Sequence, residues 1–156
     1  MIVLGESFLE LKSANYLFYS LKEFLSKNNK FTQDWSPLNI LSTDASTVGS
    51  VDLDLVDQNN SILDDLKQNK FEIIYLLNQD NLDFIKKDEF IIYQGSHGDK
   101  GAEIADIILP GAAYTEQSGH FTNLEGRIQK AFKASYPPGD SKEDWQIINE
   151  IAETMN

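Results

Sequence analysis

Residues 71–78, Phe-Glu-Ile-Ile-Tyr-Leu-Leu-Asn, are the feature that most restricts how this chain can fold. The run is almost continuously apolar and rich in β-branched and aromatic residues, which is typical of a strand buried in a parallel sheet. Similar short runs occur at 2–5, 39–42, 90–95 and 106–111. Because parallel strands need long crossover connections, these runs predict a fold of the α/β class.

Three other segments are predicted as helices, each with a polar residue able to cap its first turn. They are 7–27 with Ser7 as cap, 61–69 with Ser61, and 142–155 with Asp140 or Ser141. Residues 43–60 are mostly polar and are interpreted as a long loop. Strands that alternate with helices predict an open, mostly parallel sheet flanked by helices.

Two short runs near residue 125 indicate a different element. Gly-His-Phe-Thr-Asn at 119–123 and Arg-Ile-Gln-Lys-Ala-Phe at 127–132 flank the turn residues Leu-Glu-Gly. This pattern predicts a β-hairpin near 119–132. With 156 residues and no internal repeat or low-complexity linker, the chain is predicted to form a single α/β domain over 1–156.

The net charge and the cysteine content exclude several classes of function. The formal charge is −12 and the pI is near 4.4, so the chain lacks the basic surface that nucleic acids require. No segment has the roughly 20 apolar residues of a membrane-spanning helix, so no membrane insertion is expected. The sequence contains no cysteine, which excludes a thiolate-bound iron–sulfur cluster within this chain.

Two glycine-containing loops follow predicted strands, at the place where ligands of open α/β sheets bind. The first is Gly5-Glu6-Ser7, and the second is Gly-Ser-His-Gly-Asp-Lys-Gly at 95–101, followed by a predicted helical turn. Backbone N–H groups in such loops can hold a phosphate. Neither loop has the spacing of a P-loop or of a GxGxxG motif, and glycines at strand-to-helix turns also serve the turn itself.

His97 and His120 are the only histidines in the chain, and each could join a nearby carboxylate in a metal site. The candidate carboxylates are Asp99, Glu103 and Glu116. Their spacing matches no standard ligand set, so no metal site is predicted. Ser96 and His97 are adjacent in sequence, an arrangement that catalytic triads rarely use, so no catalytic residue is predicted either.

Arg127 is the only arginine, whereas every other basic residue is a lysine. Arginine presents a planar group of five donors that binds phosphate, carboxylate or carbonyl oxygens through several hydrogen bonds at once. One interpretation is structural, with Arg127 bracing the hairpin through Glu125 or Asp106. The other is that Arg127 contacts a phosphate or a pterin.

The segment 93–153 carries a longer pattern, which includes YQGSHGDKGAEIADIILPGAAYTEQSGHFTNLEGRIQ. It resembles the C-terminal region of the large iron–sulfur subunits of respiratory NADH:quinone oxidoreductases (complex I). The part ADIILPGAAYTEQSGHFTNLEGRIQ also resembles the wider molybdopterin oxidoreductase family, in which a strand ending in Leu-Pro precedes a Thr-Asn-x-Glu-Gly-Arg hairpin. The similarity is dense over 93–153 and looser over 1–92.

The resemblance implies a non-catalytic structural domain in the peripheral electron-transfer arm of complex I. In that family the iron–sulfur clusters lie in an N-terminal part that this chain lacks, so we expect a C-terminal fragment of a larger subunit without its own cofactor. No active site is expected in the chain alone. Asn123, Glu125, Gly126 and Arg127 match the family motif and are expected to form a structural brace, with Arg127 as its multidentate donor.

A second hypothesis is a pterin- or nucleotide-binding domain of a molybdenum oxidoreductase. Its cofactor-binding residues would be Gly95, Gly98, Gly101, Asn123 and Arg127. A third is a free-standing nucleotide-binding α/β protein. Under the first hypothesis, the expected partners are other subunits of the NADH dehydrogenase complex. The expected location is then peripheral, on the cytoplasmic side of the bacterial inner membrane or the matrix side in mitochondria.

Overall fold

A computed structural model of the chain describes residues 1–57, 59, 61–82 and 84–155. These residues fall into two compact units. The first comprises Met1–Asp54 with Phe121–Ile128, and the second comprises Leu55–His120 with Gln129–Asn156. The single domain predicted over 1–156 stays a prediction, and each unit is described by itself.

The first unit contains a two-stranded parallel sheet. Strand β1 (Ile2–Gly5) pairs with β2 (Leu38–Leu41), and both strands lie where the apolar runs predicted them. A 3₁₀ helix (Glu6–Glu10) and helix α1 (Ala14–Lys27) connect them. The parallel pairing and the helical crossover confirm the predicted α/β class for this part of the chain.

The continuous helix predicted over 7–27 is wrong in its first third. The chain leaves the 3₁₀ helix at Leu11, whose backbone is extended (φ −68°, ψ 136°), and Ser13 rather than Ser7 holds the N-cap position of α1. Serine is a good residue at a helix start and a poor one inside a helix, which favours a break at Ser13. Neither serine caps α1 through its side chain, so the predicted role of Ser7 is also wrong.

The loop predicted over 43–60 contains a short helix, α2 (Thr47–Asp52), so that prediction is wrong over these residues. The sequence of α2 is weakly helical, and its start is fixed by side-chain hydrogen bonds. The Ser42 and Thr47 hydroxyls lie 2.8 Å apart, and Thr47 Oγ1 donates to the Asp44 carbonyl at 3.0 Å. These turn contacts override the weak local propensity. Residues 58 and 60 of the predicted loop lie outside the described residues.

The second unit contains a three-stranded parallel sheet in the order β3–β4–β5. The strands are β3 (Ile73–Leu77), β4 (Phe90–Gly95) and β5 (Ile107–Pro110), each inside its predicted run. Helix α3 (Ile62–Lys67) precedes β3, and α4 (Lys100–Ile104) forms the predicted helical turn after β4. Ser61 does hold the N-cap position of α3, but its side chain makes no cap hydrogen bond.

The core of the second unit lies on one face of this sheet. Leu76, Ile91 and Tyr93 are its buried members, and Ile91 and Tyr93 are at most 1% exposed. Partly buried apolar residues pack against them: Ile74, Leu82, Phe84, Ala102, Ile104 and Ala105. The central strand is therefore the most completely buried element, as expected for the middle of a parallel sheet.

The hairpin predicted near 119–132 is confirmed. Strands β6 (Gly119–Thr122) and β7 (Ile128–Ala131) pair with one another, and Gly126 in the turn adopts φ +79°, a conformation that favours glycine.

The final helix, α5 (Asp144–Thr154), begins two residues later than predicted. Its N-cap is Glu143, which forms a capping box with Gln146, so the caps predicted at Asp140 and Ser141 are wrong. The Ser141 hydroxyl instead donates to the Pro138 carbonyl at 2.6 Å and closes the preceding proline–glycine turn.

Candidate functional site

The carboxyl ends of parallel strands are the first place to look for a ligand site in this fold. In the two-stranded sheet, Glu6 follows β1 directly. Its carboxylate accepts hydrogen bonds from the backbone N–H and the hydroxyl of Thr43, both at 2.6 Å, and from the Ser42 hydroxyl at 3.2 Å. These bonds, chiefly the one from the Thr43 N–H, lower the pKa of Glu6. A side chain of the chain itself therefore holds the donors that an anionic ligand would use here.

In the three-stranded sheet, Asp144 occupies the corresponding position. Three side-chain amides from separate segments donate to its carboxylate: Gln94 at 2.7 Å, Gln117 at 3.1 Å and Asn78 at 3.3 Å. Gln94 is fully buried near the end of β4, and Asn78 directly follows β3. The first residue of α5 is thus fixed to the carboxyl edge of the sheet by charge-assisted hydrogen bonds.

The surroundings of Asp144 complete this amide–carboxylate network. The Tyr75 hydroxyl donates to the Gln94 side-chain carbonyl, and burial together with the nearby Asp144 charge raises the pKa of Tyr75. Gly111 lies so close that a Cβ there would be 2.9 Å from Asp144 Oδ1, so any larger residue would displace the carboxylate. The network satisfies the buried Gln94 amide at both its oxygen and its nitrogen.

The glycine loop at 95–101 is shaped by a single side chain, Tyr93. A Cβ at Gly101 would lie 2.5 Å from the Tyr93 ring and 2.7 Å from the Gln79 carbonyl, and a Cβ at Gly95 would also overlap the ring. The Tyr93 hydroxyl donates to Asp80 at 3.0 Å, and Asp80 also accepts the Gly101 N–H at 3.0 Å. Burial and the Asp80 contact raise the pKa of Tyr93 to about 12. The glycines at 95 and 101 therefore serve packing around a buried tyrosine.

A cavity of about 520 Å³ opens beside this loop at the ends of β4 and β5. Its charged lining residues are the acids Glu116 and Asp140, and no lysine or arginine of the described chain belongs to the lining. Glu116 already accepts the Ala113 N–H at 3.0 Å, and the Gly111 N–H donates to the Gly95 carbonyl at 3.0 Å. The electrostatics of this cavity disfavour a phosphate or pyrophosphate group.

The histidines do not form a metal centre with the neighbours considered above. Within the described residues, no three His, Asp or Glu side chains come close enough together to hold a metal ion. His97 lines the cavity, and its Nδ1 lies 2.8 Å from the Ser96 hydroxyl. Asp99 makes no hydrogen bond to His97 among the described residues, so the structure assembles a serine–histidine contact without an orienting carboxylate.

The hairpin brace forms around Asn123 and not around Arg127. The Asn123 side-chain oxygen accepts the backbone N–H groups of Glu125 at 3.0 Å and Arg127 at 2.9 Å. The Arg127 side chain is exposed and makes no hydrogen bond or ion pair with any described residue. Asp106, its other suggested partner, accepts the Ile91 N–H at 2.8 Å and pairs with Lys86 at 2.7 Å. The multidentate role predicted for Arg127 is therefore not what the structure shows.

These contacts lead to a direct test of the hairpin. Arg127→Lys is expected to change the free energy of unfolding by less than about 0.5 kcal/mol, because the side chain is exposed and has no partner among the described residues. Asn123→Ala removes an acceptor of two N–H groups and is expected to cost about 1 kcal/mol, whereas Asn123→Asp keeps the acceptor. Urea denaturation of the three variants measures both effects. A larger loss for Arg127→Lys than for Asn123→Ala would restore the arginine brace.

The five residues of the cofactor-binding hypothesis are not brought together within one unit. Gly95, Gly98 and Gly101 belong to the second unit, while Asn123 and Arg127 belong to the first. The residues that do organise the carboxyl edges, Glu6 and Asp144, did not emerge from the sequence. Gln94 offered one usable signal, because a glutamine near the end of a buried apolar strand must find a hydrogen-bond partner.

Comparison with known proteins relates these features to a family. The family model described as Molybdopterin oxidoreductase matches residues 1–154. The chain is 42% identical over 159 residues to the mitochondrial NADH-ubiquinone oxidoreductase 78 kDa subunit of Candida albicans, covering 100% of this chain and 21% of that protein. It is 38% identical to the 75 kDa subunit of Reclinomonas americana, covering 100% of this chain and 23% of that protein.

A bacterial relative is also a subunit of an NADH oxidoreductase. The corresponding subunit of the NADH-quinone oxidoreductase of Rickettsia typhi is 46% identical over 156 residues, covering 97% of this chain and 22% of that protein. The chain thus spans about a fifth of the length of the curated relatives it matches. Because the family model covers nearly the whole sequence, the chain belongs to the molybdopterin oxidoreductase family.

Proposed function

We propose that this chain is a non-catalytic structural domain of the large iron–sulfur subunit of an NADH:quinone oxidoreductase, in the peripheral electron-transfer arm. The relatives from Candida albicans, Reclinomonas americana and Rickettsia typhi are named as subunits of such oxidoreductases, and each contains a region similar to essentially this whole chain. The partners would be other subunits of the same complex.

One observation supports the non-catalytic part of the proposal. At the carboxyl edge of each sheet, a carboxylate of the chain itself accepts hydrogen bonds from the local donors. Glu6 takes the Thr43 N–H in one sheet, and Asp144 takes the Gln94, Gln117 and Asn78 amides in the other. Donors that already bind a carboxylate of the chain are not vacant for a ligand oxygen. In this proposal, carboxylates of the chain itself take the hydrogen bonds that a ligand would otherwise accept.

The residues present do not fit the molybdopterin cofactor of the family name. A pterin dinucleotide carries phosphates, which need cationic side chains or vacant N–H groups. The cavity beside β4 and β5 instead carries Glu116 and Asp140, and its described lining has no lysine or arginine. An iron–sulfur cluster does not fit either, because the sequence has no cysteine to ligate it. Clusters of the proposed parent subunit would be bound by residues outside this chain.

The proposed location is peripheral, on the side of the membrane that carries the electron-transfer arm. No helix among the described residues is both long enough and apolar enough to cross a bilayer. Attachment to a membrane complex would then occur through protein contacts. The cytoplasmic side in bacteria, or the matrix side in mitochondria, is part of the proposal.

The assembly part of the proposal is tested in a relative that can be manipulated genetically. We would replace the matching region of the Candida albicans 78 kDa subunit with this chain, and assay NADH dehydrogenase activity of the complex in native gels. Incorporation of the chimeric subunit with activity close to the parent supports the proposal. A deletion of the same region is the control, and assembly of the deletion as efficient as that of the chimera would contradict a structural role.

The cofactor part is tested on the purified chain. Elemental analysis and an absorption spectrum are expected to show no stoichiometric iron, molybdenum or flavin. Calorimetric titration with GDP, GTP or a pterin dinucleotide is expected to show no binding tighter than about millimolar, which corresponds to ~4 kcal/mol. A micromolar dissociation constant that Arg127→Ala abolishes would instead establish the cofactor-binding hypothesis.

A further inference from the structure

Four aromatic side chains of the second unit are unusually exposed. Tyr114 is 88% exposed, Tyr136 80%, Phe132 76% and Trp145 55%. Buried aromatic rings stabilise folded proteins strongly, and soluble proteins rarely leave several large rings together in water. We call this set of four residues the aromatic patch.

Backbone contacts bring two parts of the aromatic patch together. The Thr115 carbonyl accepts the N–H groups of Ala134 at 2.8 Å and Ser135 at 3.1 Å. Thr115 is adjacent to Tyr114, and Ser135 is adjacent to Tyr136. These bonds therefore fix the segments that carry the two tyrosines side by side, although the rings themselves remain exposed.

The carboxylate of Glu143 attaches Trp145 to the same surface. Glu143 is 8% exposed and accepts Lys133 Nζ at 2.8 Å, Trp145 Nε1 at 3.2 Å and the Ser118 N–H at 3.2 Å. The Lys133 ammonium beside it, followed by these other donors, lowers the pKa of Glu143. The segment that bears the aromatic patch is thus cross-linked at several points, so exposure of the rings is a property of an ordered surface.

Two lysines lie over rings of the aromatic patch. Lys130 Nζ lies 5.0 Å from the centre of the Phe132 ring, and Lys133 Nζ lies 4.9 Å from that of Tyr136. Cation–π contacts at exposed positions hold ring orientations with little burial.

The size of the aromatic patch decides what kind of contact it fits. Four rings of ~200 Å² each, about three-quarters exposed, leave roughly 600 Å² of aromatic surface in water. As a sum over the four side chains, this area approaches the ~800 Å² that each partner contributes to a standard interface. Permanent interfaces are more apolar than transient ones and resemble a core cut in two.

We propose that the aromatic patch is a permanent interface covered by the remaining polypeptide of the same large subunit. This inference rests on the proposed function. In the relatives, the region similar to this chain is joined covalently to about four times its own length of further polypeptide. A surface on the same polypeptide is present at a high effective concentration, so it can cover the aromatic patch without a bimolecular encounter.

A second copy of this chain fits the aromatic patch poorly, because two copies would each carry a charge of −12 and repel one another. The covering surface is instead expected to be apolar and to present hydrogen-bond acceptors. The phenol groups of Tyr114 and Tyr136 make no hydrogen bond with any described residue, and a phenol that becomes buried needs such a partner.

Hydroxyl-radical footprinting with mass spectrometry tests the inference. The labelling rates of Tyr114, Phe132, Tyr136 and Trp145 are compared between this chain alone and the Candida albicans chimeric subunit purified by itself. Burial of rings that are now more than half exposed is expected to slow their labelling by about fivefold in the chimera. Tyr93, which is 1% exposed, serves as the internal reference that should label slowly in both proteins. Equal rates for the aromatic patch in the two proteins would overturn the inference.

Because labelling is measured on the chimeric subunit before assembly, its outcome is separate from the test of function. Protection of the rings without incorporation into the complex would support the interface and contradict the proposed function. Incorporation without protection would support the proposed function and overturn the interface. Analytical ultracentrifugation of the chain alone is a second measurement. Dimerisation that Phe132→Ser abolishes, and that Tyr16→Ser on α1 does not, would assign the patch to self-association and overturn the inference.

Discussion

Asp144→Ala is expected to lower the free energy of unfolding by about 2–4 kcal/mol, because it leaves the fully buried Gln94 amide and two further amides without their shared acceptor. The loss combines charge-assisted hydrogen bonds with the weaker pairing of the buried Gln94 amide, which keeps only its 3.3 Å hydrogen bond to the backbone carbonyl of residue 144. Urea denaturation followed by circular dichroism measures the value. Among the described residues of the second unit, no other side chain has as many hydrogen-bond partners drawn from separate segments as Asp144.

The matched control for Asp144→Ala is Asp140→Ala. Asp140 lies four residues earlier and is exposed, so its removal is expected to change the stability by less than about 0.5 kcal/mol. Asp144→Asn tests the charge separately, because it keeps one acceptor oxygen but places an amide N–H₂ against the donors. Similar stabilities for Asp144→Ala and Asp140→Ala would show that the network contributes nothing to the fold.

Gly101→Ala is expected to lower the free energy of unfolding by about 1–3 kcal/mol through overpacking. The added Cβ would lie 2.5 Å from the Tyr93 ring and 2.7 Å from the Gln79 carbonyl, and neither neighbour can move freely. Tyr93 is 1% exposed and is held by its hydrogen bond to Asp80. Thermal and urea denaturation of the purified variant would measure the loss.

Gly98 provides the control within the same loop. No atom lies within 4 Å of a Cβ built there, and its φ is not positive, so Gly98→Ala is expected to be neutral or to stabilise by up to about 1 kcal/mol. A loop built to hold phosphate would need all its glycines for close approach of the ligand. Equal destabilisation by the two alanines would argue against packing around Tyr93 as the reason for these glycines.

The strands were predictable because their signal is local. The run at 90–95 coincides with β4, since the central strand of a parallel sheet is apolar over most of its length. Helix caps were less predictable because each depends on where a side chain finds its partner. Ser141 would suit a cap by residue type, yet its hydroxyl closes a turn at Pro138, and Glu143 caps α5 instead.

Topology directed attention to the carboxyl ends of the strands, and the location of a ligand site there stays a prediction. The chemistry at these ends could not be predicted, because Asp144 cannot be distinguished by sequence among 25 acidic residues. The contrast between Arg127 and Asn123 has a related cause. The rarity of arginine is a property of composition, while the hairpin needs an acceptor near two N–H groups, which the short side chain of Asn123 supplies.

The carboxylates of Glu6 and Asp144 at the two carboxyl edges have a consequence for any attempt to build a ligand site into this chain. A tethered carboxylate such as Asp144 competes with any free anion at an effective concentration of about millimolar or more. Adding a glycine motif or a lysine to the loop would therefore not by itself create a binding site. Recovering affinity requires removal of the resident carboxylate first, at a cost in stability that the rest of the domain must tolerate. A resident carboxylate therefore makes a new anion site at this edge difficult to acquire through single substitutions.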